Sequence, residues 1–315
     1  MKVVRGVPSG WGLARHSRAV TVGVYDGVHR GHRHVLGTLI ERAAALGGVE
    51  TAVVTFDPHP MQVVAPERAP RMLTSLEHRI ELLGSLGIDL VAVLPFREEV
   101  RYLSPAGFAA GVLEEALCAR LVVIGGDFRF GHDRTGHVGL LAEFGALQGF
   151  DTEIVPMVGE EEPVSSTRIR AMVAAGDAAG AEAALERPHE IRGTVVPGDG
   201  RGRTIGVPTA NVAVAETVAV PGRGVYAVWS GVVGEAPVPA VANIGVRPTF
   251  GGERETVEVH LLDVDRDLYG RSVRLAFVER IRDERRFDGV DDLVEQIGAD
   301  VTTARAVLDD HVGIV

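Results

Sequence analysis

Cysteine is almost absent from this sequence. Cys118 is the single cysteine among 315 residues, which excludes an intrachain disulfide and a thiolate metal cluster. A lone cysteine of this kind is usually a small buried apolar residue. Long apolar runs are missing too: the first residues lack the apolar stretch of a signal peptide, and no segment approaches the ~18 apolar residues of a membrane span. We therefore expect a cytoplasmic protein with no membrane partner.

Positive charge is also scarce. The chain has 32 Lys and Arg against 43 Asp and Glu, a formal net charge of -11. Because an acidic surface repels a phosphate backbone, we do not expect a nucleic-acid partner. Small nucleotides stay open, since a few Arg, His and backbone N–H groups with a metal ion can hold one inside an acidic protein. The sequence leaves the oligomeric state open.

What the chain does contain is typical of two globular domains, with 46% apolar and 24% charged residues over 315 positions. From about residue 19 to 150, short β-rich apolar runs alternate with helix-like segments. Runs such as LVVIG are apolar at every position, as in strands that helices cover on both faces. This pattern predicts an α/β domain with a doubly wound parallel sheet and ligands beyond the carboxyl ends of its strands.

The pattern changes after Glu186. The segment RPHE is typical of a linker, so we place the domains at residues 1–186 and 187–315. Strand-like runs separated by Gly and Pro predict an antiparallel barrel for the second domain. Only the tail returns to a helical period, and it predicts a terminal helix packed against the barrel by one apolar face. That face carries Leu293, Ile297, Val301 and Ala304.

A glycine-rich turn follows the first strand of the α/β domain, over residues 23–32. Glycines let the backbone turn tightly, and the N-terminus of the next helix presents free N–H groups with a positive dipole. The turn therefore predicts an anion site. Its candidate nucleotide-binding residues are Gly23, Asp26, Gly27 and Gly31.

Two histidines lie in the same turn. His29 and His32 are three residues apart, so both can face one pocket and donate to phosphate oxygens as charge develops in a transition state. Such a pair can also be structural or an adventitious metal site. Its place at the carboxyl end of the first strand favours the catalytic interpretation.

Three further segments of the first domain carry polar residues next to predicted strands. Ser166, Thr167 and Arg170 precede a helix; the hydroxyls can cap it, and together with the arginine they can clamp a phosphate. Residues 55–60 and 125–131 can be simple turns or can contact a planar ligand. The candidate residues for that contact are Asp57, Pro58, Asp127, Phe128 and Arg129.

Taken in their order along the chain, these four motifs resemble the adenylyltransferase domain of the bacterial bifunctional riboflavin kinase and FMN adenylyltransferase family, the FAD synthetases. The resemblance implies a nucleotidyltransferase-like fold in which His29 and His32 stabilise the α-phosphate of ATP. It also implies that Ser166, Thr167 and Arg170 hold the triphosphate. By the same resemblance, residues 55–60 and 125–131 line the FMN and nucleotide pocket, and their candidate flavin-binding residues are Asp57, Pro58, Asp127, Phe128 and Arg129. The chain departs from the family pattern at Val24 and Tyr25, where many members have Asn and Phe, and at Asp127, where Asn is common.

A second glycine-rich segment, residues 198–211, opens the second domain. Such loops let phosphates approach backbone amides, and Thr209 and Asn211 offer hard oxygen ligands suited to Mg²⁺. A surface turn capped by Thr and Asn is the alternative, and the segment lacks the Walker pattern of a P-loop. The candidate phosphate-binding residues are Gly198, Gly202, Arg203, Gly206 and Pro208.

Glu258 is the candidate general base. In the run TVEVHLL it shares one face with Thr256 and His260, while the valines face the other way. A carboxylate on an open strand face is often just solvated, but beside a phosphate and metal loop it can accept a hydroxyl proton. Phosphoryl transfer needs little else besides positioning and charge neutralisation.

The second domain resembles the riboflavin kinase domain of the same family over nearly its whole length, with Val207 in place of a commoner Phe. The resemblance implies a six-stranded Greek-key barrel, Mg²⁺ and ATP at Thr209 and Asn211, and Glu258 activating the ribityl 5′-hydroxyl. The expected reactions are ATP-dependent phosphorylation of riboflavin to FMN in this domain and adenylylation of FMN to FAD, with release of pyrophosphate, in the first.

Two alternatives remain at this point. One is an enzyme that acts on another flavin or uses another nucleotide. The other is a flavin-binding regulator that kept the fold and lost catalysis. A protein that had lost catalysis should have lost at least one of the candidate residues, and all of them are present. They are His29, His32, Thr209, Asn211 and Glu258.

Overall fold

The computed structural model describes residues 1–156, 164–198, 202, 205–249 and 252–311. The chain divides into two compact units. The first consists of Met1–Pro70 and Ser75–Ser165, and the second of Arg71–Thr74 and Ser166–Val315. The domain boundary at residues 186 and 187 stays a prediction.

The first unit contains a six-stranded sheet with the order β1-β4-β3-β2-β5-β8, and every neighbouring pair is parallel. The strands are β1 (Lys2–Arg5), β2 (Arg18–Val22), β3 (Glu50–Asp57), β4 (Leu90–Pro95), β5 (Ala119–Gly125) and β8 (Asp151–Val155). A small antiparallel ribbon joins β6 (Arg129–Phe130) to β7 (Gly136–His137). The predicted doubly wound parallel sheet is confirmed.

Helices cover both faces of this sheet. They are α1 (Arg30–Ala45), α2 (Pro60–Val64), α3 (Leu76–Ser85), α4 (Glu98–Arg101), α5 (Pro105–Phe108), which continues as a π-helical segment (Ala109–Ala116), and α6 (Val138–Gln148). Successive residues of β3 alternate between two apolar clusters: Ala52 and Val54 pack in one, and Val53 packs in the other. This explains the continuous apolar runs. Cys118, expected to be buried, is half-buried.

The strand order reverses at β2. From β2 the chain adds β3 and β4 on one side, then crosses over to add β5 and β8 on the other. In a doubly wound sheet this reversal opens a crevice at the carboxyl ends of the two strands that flank it, here β2 and β5. The histidine turn follows β2 directly.

The second unit is built around a closed barrel with the order β10-β13-β12-β11-β14-β9. Its elements are α7 (Ser166–Ala175), α8 (Ala178–Leu185), β9 (His189–Val196), β10 (Ala210–Val214), β11 (Gly224–Val232), β12 (Val238–Thr249), β13 (Gly252–Leu261), β14 (Ser272–Arg282) and α9 (Val290–Asp309). All pairs are antiparallel, and β14 returns beside β11 in Greek-key order. The predicted six-stranded barrel and terminal helix are confirmed.

Helices α7 and α8 pack with the barrel rather than with the parallel sheet. Helix α8 contacts β14 and β9, and it buries Ala181 and Leu185 completely. At the end of α7, the Gly222 N–H donates to the Val173 carbonyl at 3.0 Å. The compact unit therefore starts before the linker that the sequence suggested.

This packing predicts different stabilities for two fragments. A fragment of residues 166–315 keeps α7 and α8, whereas a fragment of residues 188–315 exposes the faces of β9 and β14 that α8 covers. We expect the longer fragment to be more stable by about 2 kcal/mol or more, the burial energy of a side chain such as Leu185. Urea unfolding followed by circular dichroism measures the difference, and equal stabilities would favour the boundary at residue 187.

Candidate active sites

The turn between β2 and α1 has an unusual backbone. Tyr25, Gly27 and Val28 have φ of 55°, 81° and 42°, in a region that β-branched residues such as Val28 rarely adopt. The turn is held from within: the Tyr25 hydroxyl and Thr21 Oγ1 lie 2.6 Å apart, and the Val28 N–H donates to the Tyr25 carbonyl at 3.1 Å. Burial raises the pKa of the Tyr25 hydroxyl, so the side chain stays neutral.

A buried arginine fixes the same turn from outside. The Val24 carbonyl accepts hydrogen bonds from Arg79 Nη1 at 2.6 Å and from Thr55 Oγ1 at 3.1 Å. Arg79 Nη2 also donates to the carbonyl of Phe56, in β3, at 3.4 Å. Arg79 is 2% exposed, and burial lowers its pKa while Asp26 and Asp57 act in the opposite direction. Sequence reasoning missed Arg79, because within α3 it has the ordinary pattern of a polar helix residue.

The structure brings His29 and His32 together at the N-terminus of α1. His29 is the N-cap, and its Nδ1 accepts from the His32 N–H at 3.3 Å. The two rings stack with centroids 3.6 Å apart and planes inclined by 18°, and the Tyr25 ring meets His32 edge-on at 5.0 Å. A Cβ on Gly31 would lie 3.3 Å from the His29 ring, so a small residue suits this position.

The charge state of His32 follows from its surroundings. Desolvation lowers the pKa of its imidazole well below the ordinary value, and the nearby His29 and Arg79 lower it further. His32 is therefore neutral near pH 7 when no anion is bound, with one ring N–H to donate. Its Nδ1 is buried, and within the described residues it has no hydrogen-bond partner.

The remaining candidates of the first domain lie on several loops. Within the first unit, Gly23, Asp26 and Gly27 belong to the turn after β2, and Asp26 is only 2% exposed. The ends of β3 and β5, with the loops that follow them, lie at the same edge of the parallel sheet as this turn. They carry Asp57 and Pro58, which a cis peptide joins, and Asp127, Phe128 and Arg129.

The structure shows the surroundings of Phe128 and of the candidates at the start of α7, while their roles stay predictions. The Phe128 ring stacks on the buried Phe130 with centroids 5.4 Å apart, so Phe128 is packed against the apolar core. Ser166, Thr167 and Arg170 lie in the first five residues of α7, in the second unit. Their assignment to a phosphate clamp stays a prediction.

A cavity of about 410 Å³ lies in the second unit. It brings together four residues that the sequence singled out as phosphate-binding, metal-binding or catalytic: Gly202, Thr209, Asn211 and Glu258. It is also lined by residues that the sequence analysis did not assign to a site: Asn243, Thr256, His260, Arg282, Glu284, Arg285, Phe287 and Asp300. Arg203 lies outside the described residues.

Strand register aligns the polar wall of this cavity. Asn211 of β10 pairs with Glu258 of β13, and Glu258 pairs with Asn243 of β12. Side chains at paired positions lie on the same face of a sheet, about 5 Å apart at Cβ. The alternate residues Val257 and Val259 are 5% and 1% exposed and belong to the barrel core. Glu258 therefore lies on the outer face, where the cavity is.

The glycine-rich loop is folded back on itself. The Gly202 carbonyl accepts from the N–H groups of Ile205 at 3.2 Å and Val207 at 2.9 Å. A Cβ on Gly202 would overlap the Val207 carbonyl and lie 3.0 Å from Thr209 Oγ1, so this position requires glycine. Gly206 has a φ of 77°, and a Cβ on Gly198 would overlap the amide of Asn211.

The opposite wall comes from α9 and the segment after β14. Arg282 Nε and Nη2 donate to the two oxygens of Asp300 at 2.9 and 2.7 Å, and Gln296 Nε2 donates to Asp300 Oδ1 at 2.7 Å. Asp300 is 2% exposed. The apolar part of this wall consists of Leu293, Ile297 and Phe287. Leu293 and Ile297 are on the helix face predicted to pack on the barrel, and the structure shows that they also line the cavity.

This cavity has the chemistry to hold an amphipathic molecule with a hydroxyl at Glu258 and an apolar ring against α9. Thr209 and Asn211 supply oxygen donors of the kind that hard divalent cations prefer. No group of three or more His, Cys, Asp and Glu side chains that could hold a metal ion is present in the described part of the chain.

In the same residues, no helix is long and apolar enough to cross a membrane.

A doubly wound unit with imidazoles at a helix N-terminus, joined to a barrel with a carboxylate beside oxygen donors, defines a two-domain transferase that uses nucleotides. Comparison of the sequence with known protein families leads to the same class. Residues 13–168 match the FAD synthetase family model, and residues 185–308 match the riboflavin kinase family model. The chain belongs to the bifunctional riboflavin kinase/FMN adenylyltransferase family.

Relatives with that description match over nearly the whole chain. The protein of Escherichia coli K12 is 40% identical over 97% of each chain, and that of Pseudomonas fluorescens is 42% identical over 98% of each. A solved structure from Streptococcus pneumoniae, described as a macrolide-efflux protein, is 31% identical with a TM-score of 0.86 and covers 96% of this chain and 98% of that one. The architecture of both domains is thus shared with a known structure.

The close approach of Gly202 to Thr209 predicts the effect of an added methyl group. The methyl group of Gly202→Ala overlaps the Val207 carbonyl and crowds Thr209 Oγ1, so the loop must shift, and we expect kinase activity to fall about 10- to 100-fold, as for small displacements in other active sites. Gly298→Ala is the matched control, because a Cβ there meets nothing within 4 Å. It should keep full activity and add about 0.5–1 kcal/mol of stability within α9. Equal activity of the two variants would disprove the crowding.

Proposed function

We propose that the C-terminal domain transfers the γ-phosphoryl group of ATP to the ribityl 5′-hydroxyl of riboflavin. We further propose that the N-terminal domain transfers the adenylyl group of a second ATP to the phosphate of the FMN formed. The observation that carries the kinase assignment is that Thr209, Asn211 and Glu258 line one cavity with an apolar wall. The two family matches divide the chain in the same order. A cytoplasmic location fits the ATP that both reactions consume.

In the kinase reaction, Glu258 accepts the proton of the ribityl hydroxyl as its oxygen attacks the γ-phosphorus and ADP leaves. Leu293, Ile297 and Phe287 would bind the apolar flavin ring and hold the hydroxyl at the carboxylate. We assign a Mg²⁺ ion to Thr209 and Asn211, where it would neutralise phosphate charge. The fit rests on the donor set, one hydroxyl and one amide oxygen facing the same cavity as Glu258.

In the adenylyl transfer, an oxygen of the FMN phosphate attacks the α-phosphorus of ATP and pyrophosphate leaves. His29, His32 and the N–H groups at the start of α1 would donate to the α-phosphate oxygens, on which negative charge increases toward the transition state. Burial holds His32 neutral in the free protein, whereas a bound phosphate acts in the opposite direction and raises its pKa. We also assign phosphate binding to Ser166, Thr167 and Arg170 at the start of α7.

One incubation tests the assignment as a whole. The purified protein is mixed with riboflavin, ATP and Mg²⁺, and the flavins are separated over time. We expect FMN to accumulate first and FAD second. Failure to form FMN from riboflavin and FAD from added FMN would disprove the proposal.

Glu258→Gln is expected to remove riboflavin phosphorylation while FMN adenylylation continues. The amide has nearly the same size but cannot accept the proton, and loss of a general base costs about 10² to 10⁴ in rate. Both activities are measured on one preparation. Glu295→Gln, at an exposed position of α9, is the control and should keep both. Equal loss of both activities in Glu258→Gln would indicate a role in folding instead.

His29→Ala and His32→Ala are each expected to lower kcat of FMN adenylylation by about 10² to 10³, as for other groups that stabilise an oxyanion. The KM for ATP should change less, because the donors act on charge that appears in the transition state. Kinase activity should be kept. His34→Ala, exposed on the same helix, is the control. A lower melting temperature with unchanged kcat would show that the pair is structural.

A further inference from the structure

His260 lies on the same face of β13 as Glu258, two residues further along, and it lines the same cavity. Its Nδ1 is 2.7 Å from the carbonyl oxygen of Pro208. Because a carbonyl oxygen only accepts, Nδ1 must carry the hydrogen. The contact thus fixes which ring nitrogen donates.

The position of Pro208 explains why this contact matters. The ladder between β10 and β13 pairs Ala210 with Val259 and Asn211 with Glu258. Continued by one step, the same register would set Thr209 opposite His260. Pro208 has no backbone N–H to extend the ladder further, and the side chain of His260 reaches its carbonyl instead. Thr209 is therefore enclosed between a ladder pair on one side and the His260 hydrogen bond on the other.

The loop has a second attachment before Pro208. The Val207 N–H donates to the Gly202 carbonyl at 2.9 Å, which closes the loop but does not join it to β13. The hydrogen bond from His260 joins the end of the loop to the strand that carries Glu258.

We propose that His260 is a positioning residue for phosphoryl transfer: it fixes Thr209, at the end of the glycine-rich loop, against the strand that carries Glu258, while the ladder fixes Asn211. The inference rests on the proposed roles of these three residues. Without the hydrogen bond the loop end samples other positions, so Thr209 is less often aligned with Asn211 and the base. The flavin wall on α9 is unaffected.

Three substitutions distinguish the role of Nδ1 from that of Nε2. His260→Asn places an amide N–H near the position of Nδ1, His260→Gln places it near the position of Nε2, and His260→Ala removes both. We expect His260→Asn to retain kinase activity within about twofold. His260→Gln and His260→Ala should lose about 3- to 10-fold in kcat/KM for ATP, the factor that corresponds to one net hydrogen bond.

The kinetic pattern distinguishes positioning from a general loss of structure. In the Gln and Ala variants the Mg²⁺ concentration for half-maximal activity should rise, while the KM for riboflavin stays unchanged. FMN adenylylation in the same preparations should match that of the unmodified protein. A rescue by Gln and not by Asn would mean that Nε2 acts on the substrate, and this would overturn the proposal. Equal activity in all three variants, high or low, would overturn it as well.

Thr209→Ala and Asn211→Ala separate this inference from the function on which it rests. If both keep full Mg²⁺-dependent kinase activity, the proposed metal site is wrong and the role of His260 fails with it. If both lose activity while the His260 variants behave like the unmodified protein, only the positioning role is wrong.

Discussion

The barrel site depends on the pairing register of β10, β13 and β12. Side chains alternate between the two faces of a strand, so a slip of one residue would turn Glu258 into the barrel interior and a valine out of it. The burial of Val257 and Val259, 5% and 1% exposed, opposes that slip by about 1.5–3 kcal/mol for each side chain. The same apolar packing that closes the barrel therefore aligns Glu258 with Asn211 and Asn243.

In the first domain the corresponding constraint is a strained turn. A non-glycine residue held in a sparsely populated region costs about 1–3 kcal/mol, and both Tyr25 and Val28 have positive φ. Both are also buried, at 4% and 0% exposure, and the Val24 carbonyl between β2 and Tyr25 accepts two side-chain hydrogen bonds. This local packing offsets the strain, and it fixes the backbone that leads from β2 into α1.

Much of the fold could be predicted from the sequence, because apolar runs and their spacing report which faces of a strand are covered. The elements that were missed carry a weaker signal. Strand β1 has four residues, two of them charged, at the edge of the sheet, and β10 follows directly on the glycine-rich loop. The predicted boundary at residues 186 and 187, which stays a prediction, assigns α7 and α8 to the first domain because they continue its helical pattern. Their packing on the barrel is a tertiary contact, and no local pattern encodes it.

The same distinction applies to the sites. Glu258, Thr209 and Asn211 could be chosen from residue type and spacing, whereas the role of Asp300 depends on Arg282, a partner on another element. A buried ion pair contributes little net stability, but removing one partner costs about 3–5 kcal/mol. The pair therefore favours one placement of α9 more than it stabilises the fold. Ile297 and Leu293 precede Asp300 by three and seven residues, so they share its helix face, and fixing Asp300 sets where the apolar wall of the cavity lies.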